Sequence, residues 1–234
     1  MQLEEFKEEL TKLGIIVSEK QLQQLEQYYH LLVEWNQKIN LTAIIEKDQV
    51  YLKHFYDSLT LGKIIDLNEQ ESLCDIGTGA GFPGIVLKIF YPHLKITLVD
   101  SLQKRITFLN LVIEKLGLKN IKTYHARAEE FAHLHREEFD IVTARAVTHF
   151  RILLEYGIPI VKVYKFLIAM KANIGEEIEE SKSALEKLKC HIENEISFEL
   201  PNNEGHRTLI LCQKDQKTSH LFPRKYSEIK KKSL

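Results

Sequence analysis

A carboxylate followed by alternating glycines stands at residues 75–81 of this 234-residue chain. The apolar run before it ends at Asp75, glycine then recurs at every second position to Gly81, and Pro83 precedes a new apolar run. This order is typical of a buried strand, a tight turn and a helix whose first turn tolerates proline. Glycines in such a turn adopt positive φ and let a ligand lie directly on the backbone, where a Cβ would collide. The helix amides offer partial positive charge to that ligand, and Asp75 offers a carboxylate.

Two kinds of cofactor use a turn of this composition. Residues 79–84 fit G-x-G-x-x-G, the fingerprint of dinucleotide-binding proteins. Read from Asp75, the same turn fits D-x-G-x-G-x-G, a pattern of methyltransferases that use S-adenosylmethionine (SAM). A pyrophosphate is best met by amides without a nearby anion, whereas the methionine tail of SAM carries an ammonium that a carboxylate attracts. Asp75 therefore favours SAM, held with Gly77, Gly79 and Gly81, and an NAD-linked oxidoreductase is the alternative.

The predicted strands that follow also end in polar residues. Ligands of open α/β sheets lie beyond the carboxyl ends of the strands, so these residues are candidate ligand contacts. Asp100, at the end of the second strand, suits the two ribose hydroxyls, a feature that NAD and SAM share. Glu129, after the third strand, suits the exocyclic amine of adenine, and a backbone amide of Ala128 or Glu129 suits the adenine ring.

The end of the fourth strand, Thr143-Ala144-Arg145-Ala146, faces the methyl acceptor in this arrangement. It has neither an Asn/Asp-Pro-Pro-aromatic set, which grips an exocyclic amine, nor a Pro-Cys nucleophile. An acceptor with a free lone pair, such as N7 of guanine, needs neither group and has no proton to lose. The protein then contributes mainly positioning and a dry pocket. Arg145 is the candidate catalytic residue, and it suits the methionine carboxylate, a substrate phosphate or the acceptor edge of guanine.

The composition is that of an ordinary globular protein, with 28% charged residues and a net charge of −1. Near-neutral charge argues against generic DNA coating, so a nucleic-acid contact must come from a local basic face. The apolar runs fall far short of the ~20 residues that span a bilayer, and the acidic start does not resemble a signal peptide. Cys74, Cys190 and Cys212 are scattered and suggest reduced core thiols without a metal site. We expect a cytoplasmic protein without membrane or metal, and nothing implies an oligomer.

Two regions differ in their hydrophobic pattern. Residues 1–65 show helical spacing without strand signals and are predicted to form a helical N-terminal extension. Residues 66–234 alternate strands and helices, which predicts an α/β domain with a mostly parallel sheet. Residues 190–213 suit a hairpin that adds an antiparallel last strand. The basic end of the chain is predicted to be a phosphate-contacting arm without regular structure.

Local signals predict the bounds of individual elements. A capping box at residues 18–21 opens a helix that is expected to break at Asn36, with Tyr29 on its apolar face. Asp48 is expected to cap a third helix, in which His54 and Asp57 form a structural polar link between the helices and the sheet. Later elements are predicted as a helix over 150–163, a strand over 166–170 and a charged helix over 174–188.

Six segments together carry a family resemblance: Asn40-Leu41-Thr42-Ala43-Ile44, His54-Phe55-Tyr56-Asp57-Ser58-Leu59, residues 75–85, Val99-Asp100-Ser101 with Lys104-Arg105, Ala126-Arg127-Ala128-Glu129, and Thr143-Ala144-Arg145-Ala146. They resemble the family of bacterial small-subunit rRNA guanine-N7 methyltransferases, RsmG or glucose-inhibited division protein B. The resemblance covers most of residues 36–150. It implies a Rossmann-like SAM-dependent methyltransferase that forms 7-methylguanine in 16S rRNA. It also implies that SAM contacts Gly77, Phe82, Ala128, Glu129 and Arg145.

The chain departs from that family's pattern at three places. Val163-Tyr164-Lys165 replaces a glycine pair before the fifth strand, and Ala172 stands where a glycine is common. In the tail, Ser227, Ile229 and Ser233 replace turn-forming residues. The candidates for contact with 16S rRNA or the small ribosomal subunit are Lys104, Arg105, Arg127, Arg145, Arg151, Arg224, Lys225 and Lys230-Lys231-Lys232. A non-catalytic RNA-binding protein with the same fold is a further alternative.

Overall fold

The structure, a computed structural model, describes residues 1–145 and 148–234, so Ala146 of the Thr143–Ala146 motif lies outside the described residues. The strands are β1 (Ser72–Ile76), β2 (Lys95–Asp100), β3 (Ile121–His125), β4 (Phe139–Arg145), β5 (Val161–Lys171), β6 (Cys190–Glu199) and β7 (His206–Lys214). Within the described residues they form one sheet in the order β3-β2-β1-β4-β5-β7-β6. Strands β1 to β5 run parallel, whereas β7 is antiparallel to both β5 and β6. The predicted Rossmann-like α/β sheet with an antiparallel end is confirmed.

Helices precede the sheet and cover both of its faces. They are α1 (Leu3–Lys12), α2 (Glu19–Ile39), α3 (Lys47–Val50), α4 (Asp57–Leu59), α5 (Gly84–Phe90), α6 (Gln103–Lys115), α7 (Ala128–Leu134), α8 (Phe150–Gly157), α9 (Glu177–Glu180), α10 (Lys182–Leu188) and α11 (Tyr226–Lys231). A π-helical segment, Tyr51–Tyr56, joins α3 to α4, and short 3₁₀ turns lie at Thr60–Lys63, Leu67–Glu69, Ile158–Ile160 and Pro201–Asn203. Two apolar cores result, one on each face of the sheet.

The N-terminal helices share a core with the sheet and hold the glycine turn. Tyr28 of α2 is fully buried and its hydroxyl donates to the carbonyl of Ala80 in that turn. The Tyr28 ring also stacks on Phe55, with centroids 5.6 Å apart, and lies 5.4 Å from the ring of Phe82. Burial of such aromatic rings is the main favourable term in packing, so α2 positions the turn through this cluster. Tyr29, predicted on the apolar face, is only half-buried, and Tyr28 takes its place.

Several predicted bounds are wrong, each for a local physical reason. Helix α2 continues past Asn36 and ends at Ile39, where Asn40 adopts the left-handed conformation that commonly ends a helix. Asp48 lies inside α3, and Glu46 is the residue before that helix. The helix predicted over 150–163 ends at Gly157, because Pro159 leads into a 3₁₀ turn. The helix predicted over 174–188 is split into α9 and α10.

The start of β5 is irregular at the place where the sequence departs from the family pattern. Val161 pairs with Phe139, but the next pair along the two strands joins Phe166 to Ile141, so β5 carries extra residues as a bulge. Within it Tyr164 has a φ of 65° and is 70% exposed. This bulge lies at the amino end of β5, at the edge of the sheet opposite the carboxyl ends of the parallel strands.

Candidate functional site

A cavity of about 740 Å³ opens at the carboxyl ends of β1 to β4. Its walls come from the glycine turn, the ends of these strands, the N-terminal helices and the start of β7. Seven of the nine predicted site residues line it, namely Gly77, Gly79, Phe82, Asp100, Ala128, Glu129 and Arg145. Asp75 and Gly81 lie outside the lining, and each supports the fold of the turn.

The glycine turn gives the cavity a floor of bare backbone. The amides of Gly77 and Thr78 donate to the carbonyl of Val99 at 2.8 and 3.1 Å, which fixes the turn against β2. Gly77 and Gly79 have φ of 66° and 63°, the left-handed region that favours glycine. Among the described atoms, a Cβ on Gly79 would meet the Gly77 carbonyl, 3.9 Å away, and otherwise open space. This floor fits a cofactor that lies across the backbone.

Gly81 is required by packing, and its expected contact with the cofactor stays a prediction. Its φ is 103°, and a Cβ on it would lie 2.5 Å from Ile85 Cγ1 and 2.6 Å from the Tyr28 hydroxyl. Real Cβ contacts are not this short, because overlap at that distance displaces the neighbouring groups. Gly81 therefore permits the close approach of α2 and α5 to the turn.

Asp75 lies beneath the turn and outside the cavity lining, and its expected contact with the cofactor stays a prediction. Its side chain is fully buried, and Oδ2 accepts hydrogen bonds from Thr78 Oγ1 at 2.7 Å and from the Gly84 amide at 2.9 Å. Oδ1 has no hydrogen-bond partner among the described residues. Burial raises the pKa of Asp75 to about 7, although the bonds from Thr78 and Gly84 act in the opposite direction. Asp75 thus ties the end of β1 to the start of α5.

Asp100 is the carboxylate that the second strand brings to the cavity. It is almost fully buried, and its Oδ2 accepts from the Gly79 amide at 3.0 Å and from Arg105 Nη1 at 3.2 Å. Oδ1 accepts from the Leu102 amide at 2.9 Å. An ionised carboxylate has about four lone-pair positions, so one remains for a ligand hydroxyl. The three bonds hold the carboxylate rigidly at the cavity wall.

The third strand leads to the end of the cavity at the start of α7. Ala128 and Glu129 begin α7 there, and Glu129 is largely buried. Tyr156 of α8 lines the same end; its pKa is raised to about 12 by burial, and the negative charge of Glu129 acts in the same direction. Tyr226 of α11 also lines this end, where its ring lies 4.6 Å from the Arg127 guanidinium carbon. The C-terminal segment therefore reaches the site, which sequence reasoning did not predict.

The opposite end of the cavity is built around Arg145. Its Nη1 donates to the Lys53 carbonyl at 2.7 Å and to Asp57 Oδ2 at 2.9 Å, and its Nη2 lies 3.2 Å from His54 Nδ1. These bonds use three of the five N–H groups of the guanidinium among the described residues. The guanidinium carbon also lies 5.3 Å from the centroid of the Phe82 ring. The predicted polar link between the helices and the sheet is present as these bonds.

A second arginine, Arg207 from β7, completes this end and was not predicted. Its Nε donates to Asp57 Oδ1 at 2.8 Å, so the 1%-exposed side chain of Asp57 lies between two guanidinium groups. The sequence did hold a signal for Arg207. An antiparallel strand next to β5 must begin at the edge where β5 ends, and Arg207 is the second residue of β7.

His54 is held as a neutral ring in the same cluster. It stacks on Phe82, with centroids 4.4 Å apart, and its Nε2 lies 2.9 Å from Thr42 Oγ1. Burial lowers the pKa of His54 to about 3, and the nearby Arg145 acts in the same direction. Nδ1 lies 3.0 Å from the Lys53 carbonyl, a bond that needs the ring proton on Nδ1, whereas its 3.2 Å contact with Arg145 Nη2 needs Nδ1 as the acceptor. Each neutral tautomer therefore has a partner, and Thr42 Oγ1 bonds Nε2 in either one.

Several predicted RNA-contacting residues are engaged within the protein. Arg224 forms an ion pair with the fully buried Glu155, Arg151 pairs with Glu180, and Arg105 bonds to Asp100. The tail is also not an unstructured arm, because α11 forms within it and buries Ile229. Of the predicted basic residues, Arg105, Arg127 and Arg145 line the cavity.

Comparison with known proteins identifies the family. A family model described as rRNA small subunit methyltransferase G, or GidB, matches residues 21–206. The chain belongs to the GidB family. A GidB relative from Exiguobacterium sibiricum, named ribosomal RNA small subunit methyltransferase G, is 46% identical over 228 residues and covers 96% of each chain. The protein of the same name from Bacillus cytotoxicus is 50% identical over 229 residues, covering 96% of this chain and 95% of its own.

Solved structures agree with the fold of the GidB chain. The B. subtilis tRNA methyltransferase TrmK aligns with a TM-score of 0.55 at 16% identity, covering 71% of this chain and 68% of its own. A SAM-dependent methyltransferase from Aquifex aeolicus aligns with a TM-score of 0.52 at 18% identity, covering 71% and 93%. As a GidB methyltransferase of this fold, the chain uses SAM as its methyl donor, and the oxidoreductase alternative is wrong.

Two structural findings bear on other classes of ligand and partner. Across residues 1–145 and 148–234, no group of three or more His, Cys, Asp or Glu side chains is arranged to hold a metal ion. None of the helices in the same residues combines the length and the apolar character that crossing a membrane requires.

Proposed function

We propose that this GidB methyltransferase transfers the methyl group of SAM to N7 of a guanine in 16S rRNA. The relatives that cover nearly the whole chain carry the name ribosomal RNA small subunit methyltransferase G, which supports the RNA class. The choice of N7 rests on the end of the cavity around Arg145. Among the described residues there, the side chains that could remove a proton are already bound to other groups. Such a substrate also supports a cytoplasmic location.

The carboxylate nearest to Arg145 is not available as a base. Asp57 accepts from Arg145 with one oxygen and from Arg207 with the other. His54 is a very weak base, because its pKa is lowered to about 3 and its Nδ1 faces a guanidinium. Amino, hydroxyl or ring-carbon acceptors must lose a proton on methylation, whereas N7 of guanine offers a free lone pair. The absence of a free base among the described residues at this end therefore favours N7.

The residues at the other end suit the parts of SAM in turn. The bare backbone of Gly77 and Gly79 would underlie its central part, Asp100 would accept from a ribose hydroxyl, and Glu129 would accept from the adenine amine. The Ala128 or Glu129 amide meets the adenine ring. When bound, SAM supplies an electrophilic methyl group on a sulfonium. Holding both reactants in line in a dry pocket contributes about 7 kcal/mol or more to lowering the barrier.

Arg145 is the catalytic residue of this proposal. Asp57, the Lys53 carbonyl and His54 fix the plane of its guanidinium, so it acts without reorganising. Its N–H groups that face away from these partners suit guanine O6 or the methionine carboxylate, both of which accept hydrogen bonds. A donor on O6 holds the base while leaving the N7 lone pair free for the methyl group.

The 16S rRNA, alone or in the small ribosomal subunit, is the proposed macromolecular partner. A net charge of −1 gives no general attraction, so binding depends on basic groups near the cavity. Those that line it are Lys53, Arg105, Arg127, Arg145, Lys171 and Arg207. Because these groups surround one opening, they suit the binding of an RNA phosphate backbone around it. A single unpaired base of that RNA would then enter the cavity.

The choice of N7 is tested with an RNA that lacks this atom. A small-subunit rRNA transcript made with 7-deazaguanine has a C–H in place of N7, and tritium transfer from labelled SAM should fall to background. The ordinary transcript made in parallel should accept tritium. The substituted transcript must still compete for the enzyme, which shows that it is bound. Tritium transfer to the substituted RNA would place the methyl group elsewhere, and no transfer to either RNA would support a non-catalytic protein.

A further inference from the structure

The last twenty residues form a strap that is anchored along the outside of the α/β domain. We define the C-terminal strap as residues 215–234. Arg136, in the loop before β4, donates to the carbonyls of Thr218 and Phe222, each at 2.7 Å. Thr218 is buried, so the guanidinium holds the backbone of the strap at a fixed position.

A second anchor lies closer to the cavity. Arg224 donates to the carboxylate of Glu155 through its amide at 2.9 Å, its Nε at 2.8 Å and its Nη2 at 2.7 Å. Glu155 belongs to α8 and is fully buried. A guanidinium that bonds both carboxylate oxygens fixes direction as well as distance. The residues after Arg224 therefore leave this point in a defined orientation.

Tyr226 is the residue that this orientation brings to the cavity. It is the first residue of α11, whose Ile229 is 1% exposed and packs into the domain. With the helix fixed by Ile229, the Tyr226 ring lies 4.6 Å from the Arg127 guanidinium carbon and forms part of the cavity wall. The residue is still 43% exposed, so it stands at the rim rather than in the core.

We propose that Tyr226, placed by the C-terminal strap, closes the adenosine end of the cofactor cavity and sets how tightly SAM and its product are held. The inference rests on the proposed placement of adenine beside Glu129. Tyr156, Arg127 and Glu129 line the same end as Tyr226. An adenine has two apolar faces and a polar edge, so it needs flat walls as well as an acceptor. The stacked pair of Tyr226 and Arg127 supplies a flat wall, and Glu129 supplies the acceptor.

The inference is tested by calorimetric titration of the full-length chain with S-adenosylhomocysteine and with 5′-methylthioadenosine, which lacks the amino-acid tail. Tyr226→Ala should raise the Kd of both ligands by the same factor, about three- to tenfold, because both carry the adenosine. Tyr226→Phe keeps the ring and should bind as the unaltered chain does. Tyr164→Ala is the matched control, since Tyr164 is an exposed tyrosine at the opposite edge of the sheet.

The outcomes separate this inference from the function on which it rests. If Tyr226→Ala binds both ligands normally while Asp100→Ala weakens S-adenosylhomocysteine, the cofactor placement stands and the role of the strap is wrong. If neither change affects binding, the cofactor placement is wrong as well. If Tyr226→Ala instead raises only the KM for RNA, the ring contacts a base of the RNA, which also contradicts the inference.

Discussion

Asp57 Oδ2 accepts a 2.9 Å hydrogen bond from Arg145 Nη1, although the two residues lie 88 positions apart in the chain. Asp57 comes from the helices that precede the sheet, and Arg145 comes from the end of β4. The bond therefore joins the N-terminal helices to the strand end that faces the proposed methyl acceptor. In the proposed mechanism, the bond gives those helices a role in orienting Arg145 as well as in packing.

Replacement of Arg145 tests its proposed catalytic role. Arg145→Ala should lower kcat for methyl transfer about 100-fold, because the acceptor base loses the group that orients it. Arg145→Lys should not restore activity, since an ammonium cannot reproduce the planar set of bonds to Lys53, His54 and Asp57. Single-turnover tritium transfer measures the rate.

The control for this change is Arg151→Ala, which removes an arginine of a partly exposed ion pair outside the cavity wall. Its rate should stay within a factor of two of the unaltered chain, because Arg151 does not line the cavity. Its free energy of unfolding should fall by roughly 1 kcal/mol or less, as expected for a partly exposed ion pair. For Arg145→Ala, the loss in the free energy of unfolding should stay below the roughly 3–5 kcal/mol of a stranded buried charge, because Arg207 still bonds Asp57. Normal methyl transfer by Arg145→Ala would remove this residue from the mechanism.

Replacement by alanine should weaken ligand binding at one glycine of the turn and stability at another. Gly79→Ala places a methyl group in the cavity, so S-adenosylhomocysteine should bind at least tenfold more weakly, with a stability loss of about 1 kcal/mol from the positive φ. Gly81→Ala drives a methyl group into Ile85 and Tyr28 and should lower the free energy of unfolding by about 3 kcal/mol or more. Urea unfolding and calorimetric titration of both variants check this. Equal stability losses in the two variants would contradict the assignment.

The buried carboxyl of Asp75 should make stability depend on pH. Its pKa is raised from 3.8 to about 7 in the fold, so between these values the unfolded chain releases a proton that the folded chain keeps. The unfolded state is therefore favoured progressively as pH rises from about 4 to 7, by roughly 4 kcal/mol in total. Asp75→Asn lacks this ionisation. Urea unfolding should show that the unaltered chain loses more stability between pH 5 and pH 7.5 than Asp75→Asn does. Equal losses in the two proteins would contradict the raised pKa of Asp75.

The ring of His54 should stay neutral through the physiological range. Its pKa is lowered from 6.5 to about 3, so ¹⁵N chemical shifts of the imidazole should show a neutral ring down to about pH 5. The sign for stability is opposite to that of Asp75. As pH falls below 6.5 the unfolded chain binds a proton that the folded ring does not, so His54 disfavours the fold increasingly toward pH 3. A His54 resonance titrating near pH 6.5 would contradict the buried, Arg145-facing position.

Much of the fold follows from local sequence signals. The alternation of apolar runs with turn residues predicted all the strands of the sheet and placed the ends of β1, β2 and β4 correctly to within a residue. The predicted helix ends are wrong where the end of a helix depends on contacts with other parts of the fold. Helix α2 continues through Asn36 because Trp35 and Ile39 still pack against the core, and Pro159 ends α8 early. The boundary between an extension at 1–65 and a domain at 66–234 stays a prediction.

The candidate site was less predictable because it depends on long-range contacts. A glycine motif marks a turn, but it does not say that Gly79 faces the cavity while Gly81 faces a tyrosine of α2. It also does not reveal that Asp75 bonds back into the turn. Arg207 and Tyr226 reach the cavity from 50 or more residues beyond β4, so only the sheet order and the course of the strap bring them there.

Mapping the methylated atom on small-subunit rRNA treated with the purified chain and SAM tests directly whether the methyl group goes to N7 of guanine. Borohydride reduction followed by aniline cleaves RNA at 7-methylguanine, so reaction with the unaltered chain should create a cleavage site at a guanine. RNA treated with Arg145→Ala should lack that cleavage. Tritium incorporation by the unaltered chain without any new cleavage would show methylation at another atom and contradict the account.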